Sequence, residues 1–336
     1  MQLPLTNEKP PVGIIFDCDM AQIDDALALS LMFGLDGKRE ARVASMSISR
    51  PSLKAAAFSD AVARFYAGAA VQFMRMLPVG MELKGPAPGA EPMLDGPLAK
   101  PEYKHTVHAM NDTADPAALI RNALTAHHDG NCLAILAGAA TNFTKALMLP
   151  GVQELVARKL RFLTVVPDSA DLADTNKLLS DWPGSVVVVD PSIGDQLLYP
   201  ASSIETGFAW TQAHPVVDAY KSYKAMPYDA PTATLAAVLH AVRPHEGYFK
   251  LSEPGSITVL EGGKLKLAPS PQGKHRQLIY DPAQKERILK TYTEIVSAKP
   301  VPRIPRFRQQ QQQQQEDKPK APEAKPAAAD PRPATP

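Results

Sequence analysis

The chain has 336 residues, 45% apolar and 21% charged, so it is long enough and apolar enough to bury a large core. Its formal net charge of +1, and the lack of any apolar run of roughly 18 residues, give no reason to expect nucleic acid or a membrane as partner. The only two cysteines, Cys18 and Cys132, lie in apolar runs and do not indicate a disulfide framework.

The predicted elements begin after a flexible lead-in of ten residues. This lead-in lacks the apolar segment of a signal peptide, so the chain as written is expected in the cytoplasm, or in the periplasm or outside the cell if a leader was removed. Apolar runs and helical periodicity then alternate along the chain. The patterns predict strands at 12–16, 42–48, 133–136, 160–166 and 185–189, helices at 24–35, 53–67 and 281–299, and a hairpin at 257–267.

Strands that alternate with helices predict an α/β fold with a mainly parallel central sheet and helices on both faces. The strand runs are unbroken apolar stretches, as expected for strands buried on both faces. We expect one domain over residues 11–306. Residues 307–336 contain a glutamine run followed by Lys, Pro, Ala, Glu and Asp, and are predicted to be disordered because they offer no core.

Four aspartates fall within nine residues at the end of the first predicted strand: Asp17, Asp19, Asp24 and Asp25. In an open α/β sheet, ligands bind beyond the carboxyl ends of the strands. Carboxylates this close repel one another unless a cation or hydrogen-bond donors hold them, and calcium prefers oxygen ligands. The pattern therefore favours a metal site, with helix capping by Asp24 and backbone contacts of Asp17 as the structural alternative.

The stretch FDCDMAQIDDALAL resembles the signature of the inosine-uridine preferring nucleoside hydrolases, usually D-x-D-x-G-x-D-D before small and apolar residues. Three later stretches resemble family segments in the same order, and the likeness covers residues 11–280. These stretches are LAGAATNFTKAL, SDWPGSVVVVD and PYDAPTATLAAVLHAVRP. The resemblance implies a nucleoside-hydrolase-like fold and cleavage of the N-glycosidic bond of a ribonucleoside, as in purine or pyrimidine salvage. A homo-oligomer is compatible with it.

The resemblance also implies a calcium site. Asp19 would bind the ion and act as the general base toward a metal-bound water, with Asp25 as a second ligand. Ala137 would offer its backbone carbonyl, and Asp229 would complete the cage from the far end of the chain. A metal lowers the pKa of its bound water, and carboxylates stabilise the oxocarbenium-like transition state of glycoside cleavage.

Other matching positions imply contacts to the substrate. Asp24 would accept hydrogen bonds from the ribose hydroxyls, and Asp17 would support the loop. Ser49 stands where the family often carries asparagine, and Asn142 is a further ligand candidate with a turn or helix cap as its alternative. Tyr228 precedes Asp229 where many members carry histidine, and it would donate a proton to the leaving base, although the pKa of tyrosine is near 10.

The chain departs from the family pattern in ways that leave other functions open. Ala21 replaces the usual glycine in a loop one residue longer, and the family's Glu-Phe-Asn-like ribose motif after residues 160–166 is missing. The alternative is therefore a catalytically impaired relative that binds a metal or ligand. A second alternative is a haloacid-dehalogenase-like phosphatase, which also has Asp-x-Asp after a strand. That family requires Thr or Val where Ala21 stands.

Overall fold

The computed structural model describes residues 10–68, 77–168 and 170–301. The predictions for residues 1–9 and for the tail at 307–336 therefore lie outside the described residues. Within the described part, the strands are β1 Val12–Cys18, β2 Ala41–Ile48, β3 Val79–Met81, β4 Cys132–Gly138, β5 Leu160–Pro167, β6 Val186–Val188, β7 Phe249–Leu251, β8 Gly255–Val259, β9 Leu265–Pro269 and β10 His275–Tyr280.

Twelve α-helices connect and cover these strands in the described residues. They are α1 Ile23–Gly37, α2 Leu53–Ala67, α3 Pro92–Leu98, α4 Pro116–Ala126, α5 Thr141–Leu147, α6 Val152–Lys159, α7 Leu172–Asp181, α8 Ser192–Gln196, α9 Ala201–Thr206, α10 Pro215–Tyr223, α11 Ala233–Val242 and α12 Lys285–Val296. Within the described ranges, no helix is both long and apolar enough to cross a membrane.

One sheet runs through the molecule in the order β3-β2-β1-β4-β5-β6-β10-β8-β9, and β7 pairs with β10. The pairs from β3 to β10 along this order are all parallel, whereas β8 and β9 form an antiparallel hairpin beside β10. The predicted α/β class with a mainly parallel sheet is confirmed, as is the hairpin. The closing helix is shorter than predicted at both ends, because Asp281 caps a single turn of 3-10 helix before α12 begins and α12 ends at Val296.

The sheet has an apolar core on each face, because successive strand residues point to opposite sides. In β1, Ile14 and Phe16 belong to a core with α1, α2, α11 and α12, whereas Ile15 belongs to a core with α4, α5, α6 and α7. All seven residues of β1 are buried. This double covering confirms the prediction of helices on both faces, and it fixes β1 rigidly beneath the aspartates that follow it.

Candidate functional site

A cavity of about 370 Å³ opens at the carboxyl ends of β1, β4 and β5, the edge where the sequence predicts a ligand site. The loop after β1, the first turn of α1 and the start of α11 form its walls. Five carboxylates contribute to its lining, and we call it the carboxylate cavity: Asp19, Asp24, Asp25, Asp168 and Asp195. The other residues around it are uncharged.

Asp19 and Asp25 lie side by side in this cavity, within hydrogen-bond reach of each other. Asp19 Oδ1 accepts a hydrogen bond from the backbone N–H of Ala21 at 2.8 Å. Burial raises the pKa of both carboxyl groups, and the charges of Asp19 and Asp24 raise the pKa of Asp25 further. Two buried acids in contact cannot both ionise at low cost, so the pair favours a shared proton or a bound positive charge.

Asp24 faces the first turn of α11. Its Oδ2 accepts from the backbone N–H of Thr234 at 2.6 Å, and its Oδ1 accepts from that of Leu235 at 3.3 Å. Such N–H groups have no partner within their own helix and carry its positive dipole end, so they stabilise a carboxylate. Burial nevertheless raises the pKa of Asp24 to about 7.

Thr234 is a site residue that the sequence predictions missed. Its hydroxyl donates to Asp25 Oδ1 at 3.2 Å, its backbone binds Asp24, and it lines the carboxylate cavity. The one local signal is its position two residues after Thr232, the residue at the cap of α11, at the start of an apolar helical run. That pattern does not predict that the hydroxyl points at Asp25, more than two hundred positions away.

The structure does not bring Asp229 to the carboxylate cavity, which corrects the predicted metal-ligand set. Asp229 is exposed, and its Oδ1 accepts from the backbone N–H of Ala201 at the start of α9. The reason is the backbone: Ala230 pairs with Tyr199 in an antiparallel bridge, with N···O distances of 2.7 and 3.0 Å. That bridge holds the segment before α11 against the start of α9.

Of the predicted calcium ligands, the structure therefore brings Asp19, Asp25 and Ala137 together without Asp229. Across the described residues, no group of three or more His, Cys, Asp or Glu side chains is placed to hold a metal ion. Near Asp19 and Asp25 lie the Thr234 hydroxyl and the Ala137 carbonyl, which already accepts from the Asp19 N–H at 3.2 Å. The charges of Asp168 and Asp24 also reach this pair, because they raise the pKa of Asp19 and of Asp25, respectively. Calcium ordinarily takes six to eight oxygen ligands.

Asp17 and Asn142 form a sealed polar cluster with Ser47, behind the carboxylate cavity. Asp17 Oδ2 accepts from the Ser47 hydroxyl and from Asn142 Nδ2, the latter at 2.7 Å. Asn142 Nδ2 also donates to the Ile48 carbonyl at 3.2 Å, and both Asp17 and Asn142 are fully buried. Burial raises the pKa of Asp17 to about 7. Asn142 therefore ties β1, β2 and α5 together and is not placed to contact a ligand.

Ser49 and Tyr228 are also engaged within the protein, so neither predicted contact is supported. The Ser49 hydroxyl accepts from the backbone N–H of Ala139 at 3.2 Å. The Tyr228 hydroxyl donates to the Tyr220 carbonyl at 2.6 Å, and the two rings stack with centroids 4.3 Å apart. Burial raises the pKa of Tyr228 further above its ordinary value, which makes it a still weaker acid. The tyrosine that lines the cavity is Tyr223.

Tyr223 ends α10 and contacts the loop that carries the aspartates. Its hydroxyl donates to Gln22 Oε1 at 2.5 Å, and Gln22 caps the start of α1. Its ring thereby forms part of the cavity wall opposite β4 and β5. The sequence has three tyrosines in this stretch, Tyr220, Tyr223 and Tyr228, and their spacing alone does not tell which faces the site.

Several solved structures share this fold. A purine-preferring ribonucleoside hydrolase from Gardnerella vaginalis superposes with a TM-score of 0.63 at 14% identity, covering 86% of this chain and 99% of the other. The chain has the nucleoside-hydrolase fold. The inosine-uridine preferring nucleoside hydrolase from Bacillus anthracis gives a TM-score of 0.61 at 11% identity, covering 85% and 99%. The type III effector protein XopQ, complexed with adenosine diphosphate ribose, gives 0.57 at 11%, covering 87% and 96%.

No family model matches the sequence, and no curated protein matches it. Identities of 11–14% show the nucleoside-hydrolase fold and no more. The function of the carboxylate cavity therefore rests on its own residues. Of the predicted site residues, it retains Asp19, Asp24, Asp25 and Ala137.

Proposed function

We propose that the carboxylate cavity binds a ribonucleoside or a related N-riboside, and that the protein is a ligand-binding relative of the nucleoside hydrolases with impaired hydrolysis. One observation carries this proposal: Asp19, Asp24 and Asp25 converge at the expected edge of the sheet, but Thr234 meets them where a third metal-binding carboxylate was predicted. The acceptors for sugar hydroxyls are present, whereas the predicted calcium cage is not complete.

The size and charge of the cavity support a neutral or positively charged riboside. About 370 Å³ lies within the range of roughly 300–1,000 Å³ that small-molecule sites occupy. Its ionisable lining consists of five aspartates and Tyr223, with no Lys, Arg or His among the described lining residues. Ribose hydroxyls donate to carboxylates, whereas phosphate groups are repelled by them. This lining disfavours a nucleotide ligand, and with it the phosphatase alternative.

The comparisons agree with a riboside as the ligand class. The structures from Gardnerella vaginalis and Bacillus anthracis are described as hydrolases of purine ribonucleosides and of inosine and uridine. XopQ was solved with adenosine diphosphate ribose, which also contains ribose. Ribose is the part these ligands share, and it is the part that a cluster of carboxylates and hydroxyls recognises.

Hydrolysis of the N-glycosidic bond is the second candidate, and the contact between Asp19 and Asp25 favours it. Paired carboxylates can take a proton from an attacking water and stabilise an oxocarbenium-like transition state. Calcium activation belongs to this second candidate only, and of the three predicted carboxylate ligands the cavity holds two, Asp19 and Asp25. The leaving base would need its proton from another group than Tyr228, whose hydroxyl is bound to Tyr220.

Calorimetric titration with inosine, uridine and their 5′-monophosphates, in calcium or in EDTA, tests the proposal alongside an assay for released base. We expect saturable binding of nucleosides with or without calcium, binding of monophosphates at least about tenfold weaker, and no released base. Asp24→Ala should weaken nucleoside binding by at least about tenfold, because Asp24 offers carboxylate oxygens at the cavity.

Asp229→Ala is the matched control, since the Asp229 carboxylate accepts from the start of α9 and does not line the carboxylate cavity. Its nucleoside affinity should stay within about twofold of the parent. Calcium-dependent base release that disappears in Asp19→Ala would replace the binding proposal with the hydrolase. If neither nucleoside binds in either buffer, both candidates are wrong.

A further inference from the structure

The loop that carries Asp19 contains a left-handed turn at a residue that is not glycine. Met20 has φ of 52°, a conformation that L-residues other than glycine, asparagine and aspartate rarely adopt. Its side chain is fully buried in the core. Ala21 stands where the family usually has glycine, but the left-handed residue is Met20, one position earlier. Something in the surroundings must hold Met20 in this conformation.

Arg50, two residues beyond the end of β2, makes the contacts that hold this turn. Its Nε donates to the Asp19 carbonyl at 2.5 Å, and its Nη2 donates to the Met20 carbonyl at 3.1 Å. The planar guanidinium presents its donors in a fixed fork, so it can hold two consecutive carbonyls at once. These are the two carbonyls that flank the left-handed turn.

Arg50 is itself fixed by a buried acid. Its Nη1 lies 2.8 Å from Glu91 Oε1, and the Glu91 side chain is 7% exposed. Glu91 Oε1 also accepts from the Ser52 hydroxyl at 2.6 Å, and Ser52 caps the start of α2. The path of contacts therefore runs from the start of α2 through Glu91 and Arg50 to the Asp19 loop, and each member is held by a directional bond.

We propose that Arg50 is a positioning residue for the carboxylate cavity, and that it sets the place of Asp19 by clamping the turn at Met20. Arg50 does not line that cavity, so it acts on a ligand through the loop and not by contact. Glycine would adopt the left-handed conformation without steric cost, whereas here the guanidinium contacts stabilise that conformation at Met20. The inference rests on the proposed riboside binding for its affinity measurement only.

The test compares Arg50→Ala with Arg64→Ala in the full chain. Arg64 is a matched control because it is a similarly buried arginine, 19% exposed against 22% for Arg50, that pairs with Asp60 on α2. Hydrogen exchange of peptides covering residues 19–22 is measured relative to a peptide from β4, which corrects for any loss of global stability. Inosine affinity is measured on the same samples.

In Arg50→Ala we expect relative exchange at residues 19–22 to rise, and inosine affinity to fall, each by at least about tenfold. Arg64→Ala should change both by less than about twofold. Arg50→Lys should fall between them, because one ammonium keeps the charge near Glu91 but cannot span both carbonyls.

Unchanged relative exchange of the loop in Arg50→Ala would overturn the proposal, and so would lost loop protection with full inosine affinity. An equal loss in Arg64→Ala would show a general effect of removing a buried arginine and would overturn it as well. If the parent protein binds no nucleoside, the proposed function is wrong, whereas the exchange data still decide whether Arg50 holds the loop.

Discussion

Asp17 and Asp25 are buried carboxylates eight positions apart in the chain, and their surroundings differ. Asp17 is sealed in the interior and receives hydrogen bonds from Ser47 and Asn142. Asp25 faces the carboxylate cavity, touches Asp19 and lies near Asp24. Burial raises the pKa of both. After burial, the largest influences on Asp17 are hydrogen bonds from Ser47 and Asn142, which lower its pKa, whereas those on Asp25 are the charges of Asp19 and Asp24, which raise it. Asp17 therefore stabilises the fold, whereas the fold keeps Asp25 close to like charges that repel it, as is common in binding sites.

The largest difference should appear when Asp17 loses its side chain. Asp17→Ala leaves the Asn142 amide and the Ser47 hydroxyl without their shared acceptor and opens a small void, so we expect the free energy of unfolding to fall by about 3 kcal/mol. Urea unfolding at pH 7 measures it. Asp17→Asn, which keeps one acceptor oxygen and the volume, should lose less than half as much. A loss below about 1 kcal/mol in Asp17→Ala would remove the structural role assigned to this cluster.

The pH dependence of Asp24 gives the next largest effect. Its pKa is raised from 3.8 to about 7, so the folded state binds a proton that the unfolded state has lost between these values. Its contribution to stability is complete below the unfolded pKa and is lost as pH rises through 7. Asn does not titrate, so the stability of Asp24→Asn relative to the parent should rise by about 2 kcal/mol from pH 5 to pH 8.

The difference between the two proteins is the quantity to measure, because buried histidines act in the opposite direction. The pKa of His214 is lowered to about 3 and that of His240 to about 4, both by burial, so stability rises with pH through their range. Both histidines are present in parent and variant and cancel in the difference. A difference that stays constant from pH 5 to pH 8 would show that Asp24 has an ordinary pKa.

A smaller effect, opposite in sign to the loss in Asp17→Ala, is expected at Asp25. Asp25→Asn removes a charge that faces Asp19 and Asp24 while keeping an acceptor for the Thr234 hydroxyl, so stability at pH 8 should rise by about 1 kcal/mol. Asp195→Asn is the control, because this exposed carboxylate of the same cavity should change stability by less than about 0.5 kcal/mol. A loss of stability in Asp25→Asn would show that repulsion by Asp19 and Asp24 does not destabilise the protein at this position.

The elements with strong local patterns were predictable from the sequence. Helix α2 has the predicted bounds, Leu53–Ala67, and the five predicted strands are all present. The structure adds short helices such as α8, Ser192–Gln196, which spans too few residues for a period to show. It also adds β10, which pairs with β6 although nearly ninety residues separate them in the chain. No local pattern specifies a partner at that distance.

The sequence alone placed Asp19, Asp24 and Asp25 at one edge of the sheet, because a strand, a short loop and a helix start lie within nine residues and their geometry is local. Only the tertiary structure decided which distant residue meets them. Thr234 follows Asp229 by five positions, and the bridge between Tyr199 and Ala230 turns Asp229 toward α9 while α11 delivers Thr234 to the aspartates. The direction of a side chain can reverse within the few residues between Asp229 and Thr234. That direction depends on the backbone pairing of Ala230 with Tyr199, which is distant in sequence and leaves no local pattern.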